Sequence, residues 1–145
     1  MKIVFGIAAM AAIVMASQAV PSLAGSDNSE YVIVANKQLQ GSSINLTTLK
    51  GIYLREVRKW GNNMGDIVPV DLDSEQSFYQ NLFGKSHSQM QAYWLNMRIK
   101  YSIELPISRK DSEGVKQFIA ENRGAIGYIR SSDVDDRVKV LKLVE

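Results

Sequence analysis

The sequence predicts an α/β fold, a three-layer sandwich in which helices cover both faces of a mostly parallel central sheet. Residues 31–35 are continuously apolar and β-branched in the middle, which is typical of a strand buried on both faces. Further apolar runs at 67–72, 125–129 and 138–144 indicate three more strands. Helical segments separate the first three of these strands, and parallel strand pairs need such crossovers. Pro69 cannot donate to a strand ladder, so we expect it near an edge or a strand start.

The first two helices are predicted from apolar spacing and from the residues at their ends. Apolar side chains recur at helical spacing within residues 44–54, and Asn45 is the expected N-cap. A second helix should begin after a cap at Asp73 or Ser74. It should end at Gly84, because glycine readily adopts the left-handed conformation that follows many helices.

Two more helices are predicted in the second half of the chain. Ser86 and Gln89 form a capping box that opens the third helix. Its inward stripe should consist of residues at helical spacing, namely Met90, Tyr93, Trp94, Met97 and Tyr101. The fourth helix should begin after Asp111 or Ser112. Gly124 is expected to end it in the left-handed conformation.

The composition is that of one folded domain and excludes several classes of function. Of the 145 residues, 46% are hydrophobic and 22% are charged, as in ordinary globular proteins. The formal net charge of +2 is too small to indicate a nucleic-acid partner. The absence of cysteine excludes a disulfide scaffold, a thiolate nucleophile, cysteine-bound zinc and a lipid anchor on an N-terminal cysteine.

The first residues have the pattern of a secretory signal. Lys2 precedes the uncharged, mostly apolar run 3–15, which is too short to span a bilayer core of about 20 apolar residues. The tripeptide at 22–24 (Ser-Leu-Ala) fits signal peptidase, and the second-choice cleavage site follows 17–19 (Ser-Gln-Ala). The alternatives to a cleaved signal are a retained anchor or a buried core helix. We therefore expect a cleaved signal at 1–24, a single domain at 25–145, and a periplasmic product that is not lipid-anchored.

No strong catalytic motif is present, so the sequence predicts neither an enzyme nor a cofactor. His87 is expected to be a surface residue. Asp71, Asp73 and Glu75 alternate as in a calcium loop, but the sixth position is not glycine and the twelfth is not acidic, so no metal site is predicted. Trp60 lies beside two basic residues, where it would either stack on a sugar or base or anchor the loop after a helix.

The fold class itself points to a ligand site. In open α/β sheets, ligands bind beyond the carboxyl ends of strands, often where free amides at a helix start attract anions. Residues 71–77 follow the strand at 67–72 and occupy this position. Ser74 and Ser77 offer hydroxyl groups and Gln76 an amide. These three residues are the predicted ligand-binding set.

Five segments resemble the second lobe of phosphate-type periplasmic binding proteins of ABC transporters. They occur in the family's order and are 49–54 (Leu-Lys-Gly-Ile-Tyr-Leu), 58–60 (Arg-Lys-Trp), 83–86 (Phe-Gly-Lys-Ser), 93–94 (Tyr-Trp) and 124–128 (Gly-Ala-Ile-Gly-Tyr). The resemblance implies one lobe of the type II periplasmic-binding-protein fold. It also implies an exported solute-binding domain for phosphate or a related oxyanion, with membrane ABC transporter subunits as partners.

The resemblance is incomplete in two respects. The family's arginine and Ser-Gly-Thr run are absent, so only Ser74 and Ser77 match its phosphate site, and three carboxylates lie where the anion would be. These carboxylates would oppose a phosphate dianion. The chain also corresponds to one lobe where the family has two. The alternative function is therefore an accessory or protein-interaction module that has lost phosphate binding, with another periplasmic protein or a second copy in a homodimer as its partner.

Overall fold

A computed structural model describes residues 31–61, 63–75 and 77–145, which form a mixed α/β fold. The strands are β1 (Tyr31–Ala35), β2 (Ser43–Asn45), β3 (Val68–Leu72), β4 (Ile107–Arg109), β5 (Ala125–Arg130) and β6 (Lys139–Val144). The helices are α1 (Leu46–Tyr53), α2 (Ser77–Phe83), α3 (His87–Tyr101) and α4 (Ser112–Glu121). The predicted signal at 1–24 lies outside the described residues.

The strands form one sheet in the order β2-β6-β1-β5-β3-β4. β5 pairs parallel with β3, β3 with β4, and β6 with β2, whereas β1 is antiparallel to both β5 and β6. Among the described strands, β1 alone therefore runs against the others, and the prediction of a mostly parallel sheet is confirmed. Pro69 is the second residue of β3, at the strand start where it was expected.

Helices cover both faces of the sheet, and β5 shows this directly. On one face, a Cβ at Gly127 would lie 3.1 Å from Ile119 and 3.2 Å from Val115 of α4. On the other, Tyr128 stacks on Phe78 of α2, with ring centroids 3.7 Å apart. Because successive strand residues point to opposite faces, α4 and α2 lie on opposite sides, which confirms the three-layer sandwich.

The predicted helix caps are present in the structure. The Asn45 side chain accepts a hydrogen bond from the Thr47 amide at 2.7 Å. Ser86 and Gln89 form the complete capping box of α3. Of the two candidates for α4, Asp111 is the N-cap and accepts from the Gly114 amide at 2.9 Å. Local sequence determines these helix starts because each cap satisfies an otherwise unpaired amide in its own first turn.

Three elements differ from the sequence prediction. The second helix begins at Ser77 rather than after Asp73 or Ser74, since residues 73–74 form a turn. The strands β2 and β4 were not predicted, because three residues are too few to show an alternating pattern. Each exists through pairing with a longer strand, β2 with β6 and β4 with β3.

The predicted inward stripe of α3 is confirmed at its start and is wrong at its end. Met90 is fully buried and Trp94 is 3% exposed, but Tyr101 is 64% exposed. Trp94 donates to the Tyr53 carbonyl at 2.7 Å, which fixes the middle of α3 against α1. The last turn of α3 extends past this contact, so helical spacing alone does not bury Tyr101.

Glycine is required at position 124 because the backbone of Asp66 approaches it closely. The prediction that Gly124 adopts the left-handed conformation is wrong. Its φ is not positive, whereas a Cβ there would collide with the backbone carbonyl oxygen of Asp66. The Gly124 carbonyl accepts from the Val68 amide at 2.9 Å and from the Trp60 indole at 3.0 Å. Trp60 thus anchors the loop after α1, which was one of its two predicted roles.

Within the part of the chain that the structure describes, no helix is long and apolar enough to cross a bilayer.

Candidate functional site

Asp71, at the carboxyl end of β3, lies at the centre of a buried hydrogen-bond network. Its Oδ1 accepts from the Tyr79 hydroxyl at 2.7 Å and from the Tyr128 hydroxyl at 2.8 Å. Its Oδ2 lies 2.8 Å from Nε2 of His87. Asp71 is 2% exposed and His87 5%. Since a buried carboxylate is tolerated only with partners, these three side chains are what allow an aspartate inside this strand.

The prediction that His87 is a surface residue is wrong. His87 is the first residue of α3, and the capping box at Ser86 turns it inward against Asp71, which is 16 positions earlier in the chain. The signal that could have found this pair is Asp71 itself, an aspartate between the buried residues Val70 and Leu72. A carboxylate on a buried strand needs a partner, and the chain has one histidine.

Three buried tyrosines beside Asp71 keep their protons. Burial, followed by nearby charge that includes Asp71, raises the pKa of Tyr53, Tyr79 and Tyr128 well above its ordinary value. Tyr79 and Tyr128 donate to Asp71, and Tyr53 donates to the Val70 carbonyl at 2.7 Å. A phenolate could not donate these bonds, so hydrogen bonding and burial favour the same protonation state.

We expect these tyrosines to ionise only as the protein unfolds in alkali. The unfolded tyrosine pKa is 10.0 and the folded values are higher, so above pH 10 the folded state holds protons that the unfolded state releases. Stability should therefore fall as the pH rises above 10. Tyrosinate absorbance and circular dichroism, followed together in a pH titration, should change in one step for these residues. Tyr79→Phe and Tyr128→Phe should each remove amplitude from that step, and ionisation of either tyrosine in the folded protein would contradict the prediction.

The start of α2 is occupied by a carboxylate of the chain itself. Glu75 Oε1 accepts from the Ser77 hydroxyl at 2.6 Å and from the Ser77 amide at 3.2 Å. Glu75 Oε2 lies 3.7 Å from Nη2 of Arg130. A serine hydroxyl, a backbone amide and a guanidinium are the donors that proteins use for oxyanions, and here they surround Glu75.

Glu75 is costly to bury. The residue is 5% exposed, and its Oε2 atom has no hydrogen-bond donor within range among the described residues. The Arg130 guanidinium is about half-exposed and gives charge compensation rather than a close hydrogen bond. A solute oxyanion at this position would have to displace Glu75 or tolerate a neighbouring negative charge.

Of the three predicted ligand-binding residues, Ser77 contacts this carboxylate, and the role of all three in binding stays a prediction. Ser77 is half-buried and already donates to Glu75. Ser74 is exposed in the turn before α2. Gln76 lies outside the described residues. Sequence reasoning identified the segment but missed that Glu75 bonds to Ser77, because the pairing depends on the direction in which the turn sends the glutamate.

The acidic alternation at Asp71, Asp73 and Glu75 does not converge on one point. Asp71 faces His87 and Glu75 faces Ser77, whereas Asp73 is exposed. Within the described ranges no group of three or more histidine, aspartate or glutamate side chains is placed to hold a metal ion.

Comparison with solved structures places this geometry on a known fold. The chain superposes on an ABC-type phosphate transport receptor from Vibrio cholerae with a TM-score of 0.61 at 18% sequence identity, covering 78% of this chain and 45% of the receptor. The fold is one that phosphate-transport receptors share. No protein-family model matches the sequence.

Two further structures agree. A putative phosphate ABC transporter substrate-binding protein from Clostridium perfringens, solved with bound phosphate, gives a TM-score of 0.55 at 23% identity, with 78% of this chain and 44% of that protein covered. A possible phosphate binding protein from Planctomyces limnophilus gives a TM-score of 0.59 at 16% identity, with 79% of this chain and 41% of that protein covered. The chain spans less than half the length of each, and this partial coverage fits a single lobe.

Proposed function

We propose that this chain is an exported binding module built on one lobe of the phosphate-receptor fold, in which Glu75 takes the place of a solute oxyanion. The single observation that carries the proposal is the pair of hydrogen bonds from Ser77 to the Glu75 carboxylate. With this position filled, the module acts as an accessory or protein-interaction component. Its partners are then the membrane subunits of an ABC transporter or another periplasmic protein, rather than free phosphate.

Electrostatics supports the loss of phosphate binding at this position. A phosphate dianion replacing Glu75 at the Ser77 donors would leave that buried carboxylate beside it. Repulsion between like charges grows as water is excluded, so the burial of Glu75 further disfavours a phosphate beside it. An open single lobe also encloses less of a ligand than a cleft, which buries roughly 70–90% of a small molecule.

A second candidate function is a solute-binding domain for phosphate or a related oxyanion. The donors around Glu75 favour it, since Ser77 and Arg130 are suited to hold an oxyanion once the glutamate has moved out. The likeness to a protein solved with bound phosphate supports it as well. Both candidates are non-enzymatic, in keeping with transport binding proteins as the structural neighbours.

Glu75→Ala is expected to create phosphate binding that the unmodified protein lacks. Removing the carboxylate frees the Ser77 hydroxyl and amide and leaves Arg130 without its counter-charge. Isothermal titration with phosphate and sulfate should give no heat at millimolar ligand for the unmodified protein. The variant should bind at least roughly tenfold more tightly, the effect of one or two charge-assisted hydrogen bonds.

Two variants serve as controls. Glu75→Ala combined with Ser77→Ala should lose the new binding, and Glu121→Ala, which removes an exposed carboxylate on α4, should behave like the unmodified protein. Phosphate binding by the unmodified protein that Ser77→Ala abolishes would reject the interaction module in favour of solute binding. If Glu75→Ala does not bind either anion, the donors at the start of α2 are not an oxyanion site.

A further inference from the structure

A groove of about 460 Å³ lies at the opposite end of β3 from Asp71. The loop after α1 forms one wall with Arg55 and Arg58, and the loop between α3 and β4 forms another with residues 102–105. Val68 and Pro69 at the start of β3 contribute the floor. The volume is within the range of small-molecule sites, about 300–1,000 Å³. The groove shares no residue with the start of α2.

Arg55 is a buried cation that lines this groove and has an unpaired donor. The residue is 8% exposed, and its Nε donates to the Glu104 carbonyl at 3.0 Å. Its Nη1 atom is buried and has no acceptor within range among the described residues. Leaving a buried donor of a charged group unpaired is expensive, so the arrangement is more stable with an anion present.

The surrounding charges leave the groove positive. Lys59 and Asp66 neutralise each other through a 2.7 Å ion pair, which also lowers the pKa of the Asp66 carboxyl. This leaves Arg55 and Arg58 against the carboxylate of Glu104. Burial, and then the charge of Arg58, lower the pKa of Arg55. A bound anion would relieve the repulsion between the two guanidinium groups.

The rest of the lining is mostly apolar. Val68, Ile103, Leu105 and Ile107 line the groove and are half-buried. Inorganic anions gain nothing from such a surface, whereas an apolar group attached to an anion would cover it. We propose that this groove binds an organic anion whose carboxylate or phosphate group meets Arg55 and Arg58 and whose apolar part covers these side chains.

The proposal is tested by isothermal titration of the full protein with matched probes. Octanoate and octyl phosphate carry the two anionic groups on one apolar chain, octanol lacks the charge, and inorganic phosphate lacks the chain. We expect both amphiphilic anions to bind, more weakly as salt is raised, and octanol and inorganic phosphate to bind at least roughly tenfold more weakly. The preferred head group then separates a carboxylate from a phosphate ligand.

Arg58→Gln is the decisive variant, because Arg58 is exposed and its replacement leaves the core intact. It should weaken octanoate binding roughly tenfold, the effect of one charge-assisted contact. Arg55→Gln should weaken it more, with circular dichroism checking that this variant folds. Arg98→Gln on α3, which replaces an exposed arginine outside the groove, should bind like the unmodified protein.

Any of four results would overturn the proposal. The first is that neither octanoate nor octyl phosphate binds. The second is that Arg58→Gln and Arg98→Gln have the same effect, and the third is that octanol binds as tightly as octanoate. The fourth is that inorganic phosphate binds as tightly as octyl phosphate, which would show that the ligand needs no organic part. The results with octanol and with the two arginine variants do not depend on Glu75, so they can be told apart from failure of the proposed function.

Discussion

Replacement of Asp71 by alanine is expected to lower the free energy of unfolding by about 3–5 kcal/mol, because each buried polar group left without its partner costs about 1–3 kcal/mol. Asp71 accepts from Tyr79 and Tyr128 and lies against His87, so the change leaves three buried polar groups without their partner. Tyr128 also accepts from the Leu72 amide at 3.1 Å, which extends the damage to the β3 backbone. Urea denaturation followed by circular dichroism measures the loss.

Asp71→Asn should lower the free energy of unfolding clearly less than Asp71→Ala does. The amide oxygen can still accept from both tyrosines, and the amide nitrogen can donate to His87 when that ring nitrogen is unprotonated. Asp136→Ala, which removes an exposed carboxylate, should change the stability by less than about 0.5 kcal/mol. An Asp71→Ala protein as stable as Asp136→Ala would show that the buried network contributes nothing to the fold.

Gly124→Ala is the second change expected to have a large effect, with a loss of about 2–3 kcal/mol from forced overpacking. The new methyl group would collide with the Asp66 backbone carbonyl, which cannot move aside as a flexible side chain could. Moving the backbone apart would strain the bonds from Trp60 and Val68 to the Gly124 carbonyl. Chemical denaturation with tryptophan fluorescence as the probe measures both stability and the surroundings of Trp60.

Gly61→Ala is the matched control, because a Cβ at Gly61 meets no atom within 4 Å. It should leave the stability within about 0.5 kcal/mol of the unmodified protein. Equal losses for the two alanine variants would show that the collision with Asp66 is not the cause. A Gly124→Ala protein of unchanged stability would mean that the two backbones separate at no cost.

Local signals in the sequence predicted much of the fold. Asn45, Ser86 and Asp111 each cap a helix by bonding to an amide in the following turn, so their effect needs no tertiary contact. The apolar run at Tyr31–Ala35 predicted β1 with its observed bounds. The strands β2 and β4 were not predicted because three residues are too few to show an alternating pattern, and because the strands they pair with are distant in the chain.

The candidate site was predicted at the level of the segment and not of the contacts. Fold logic places residues 71–77 at a strand end, and the structure places them there. The sequence could not show that Glu75 bonds to Ser77, or that Asp71 bonds to His87 across 16 residues. The burial of Arg55 was not predicted either, since it depends on contact with the loop between α3 and β4.

The sequence by itself determined the layered α/β architecture, the helix starts and the absence of cysteine chemistry, because these follow from short-range periodicity and composition. Only the tertiary structure decided the environment of each charged side chain. Asp71, Glu75 and Arg55 are all polar residues that a sequence pattern would place at the surface, yet all three are buried. The physical reason is that burial and pairing of a charge depend on groups brought together by the whole chain, whereas a cap or a strand depends on its neighbours.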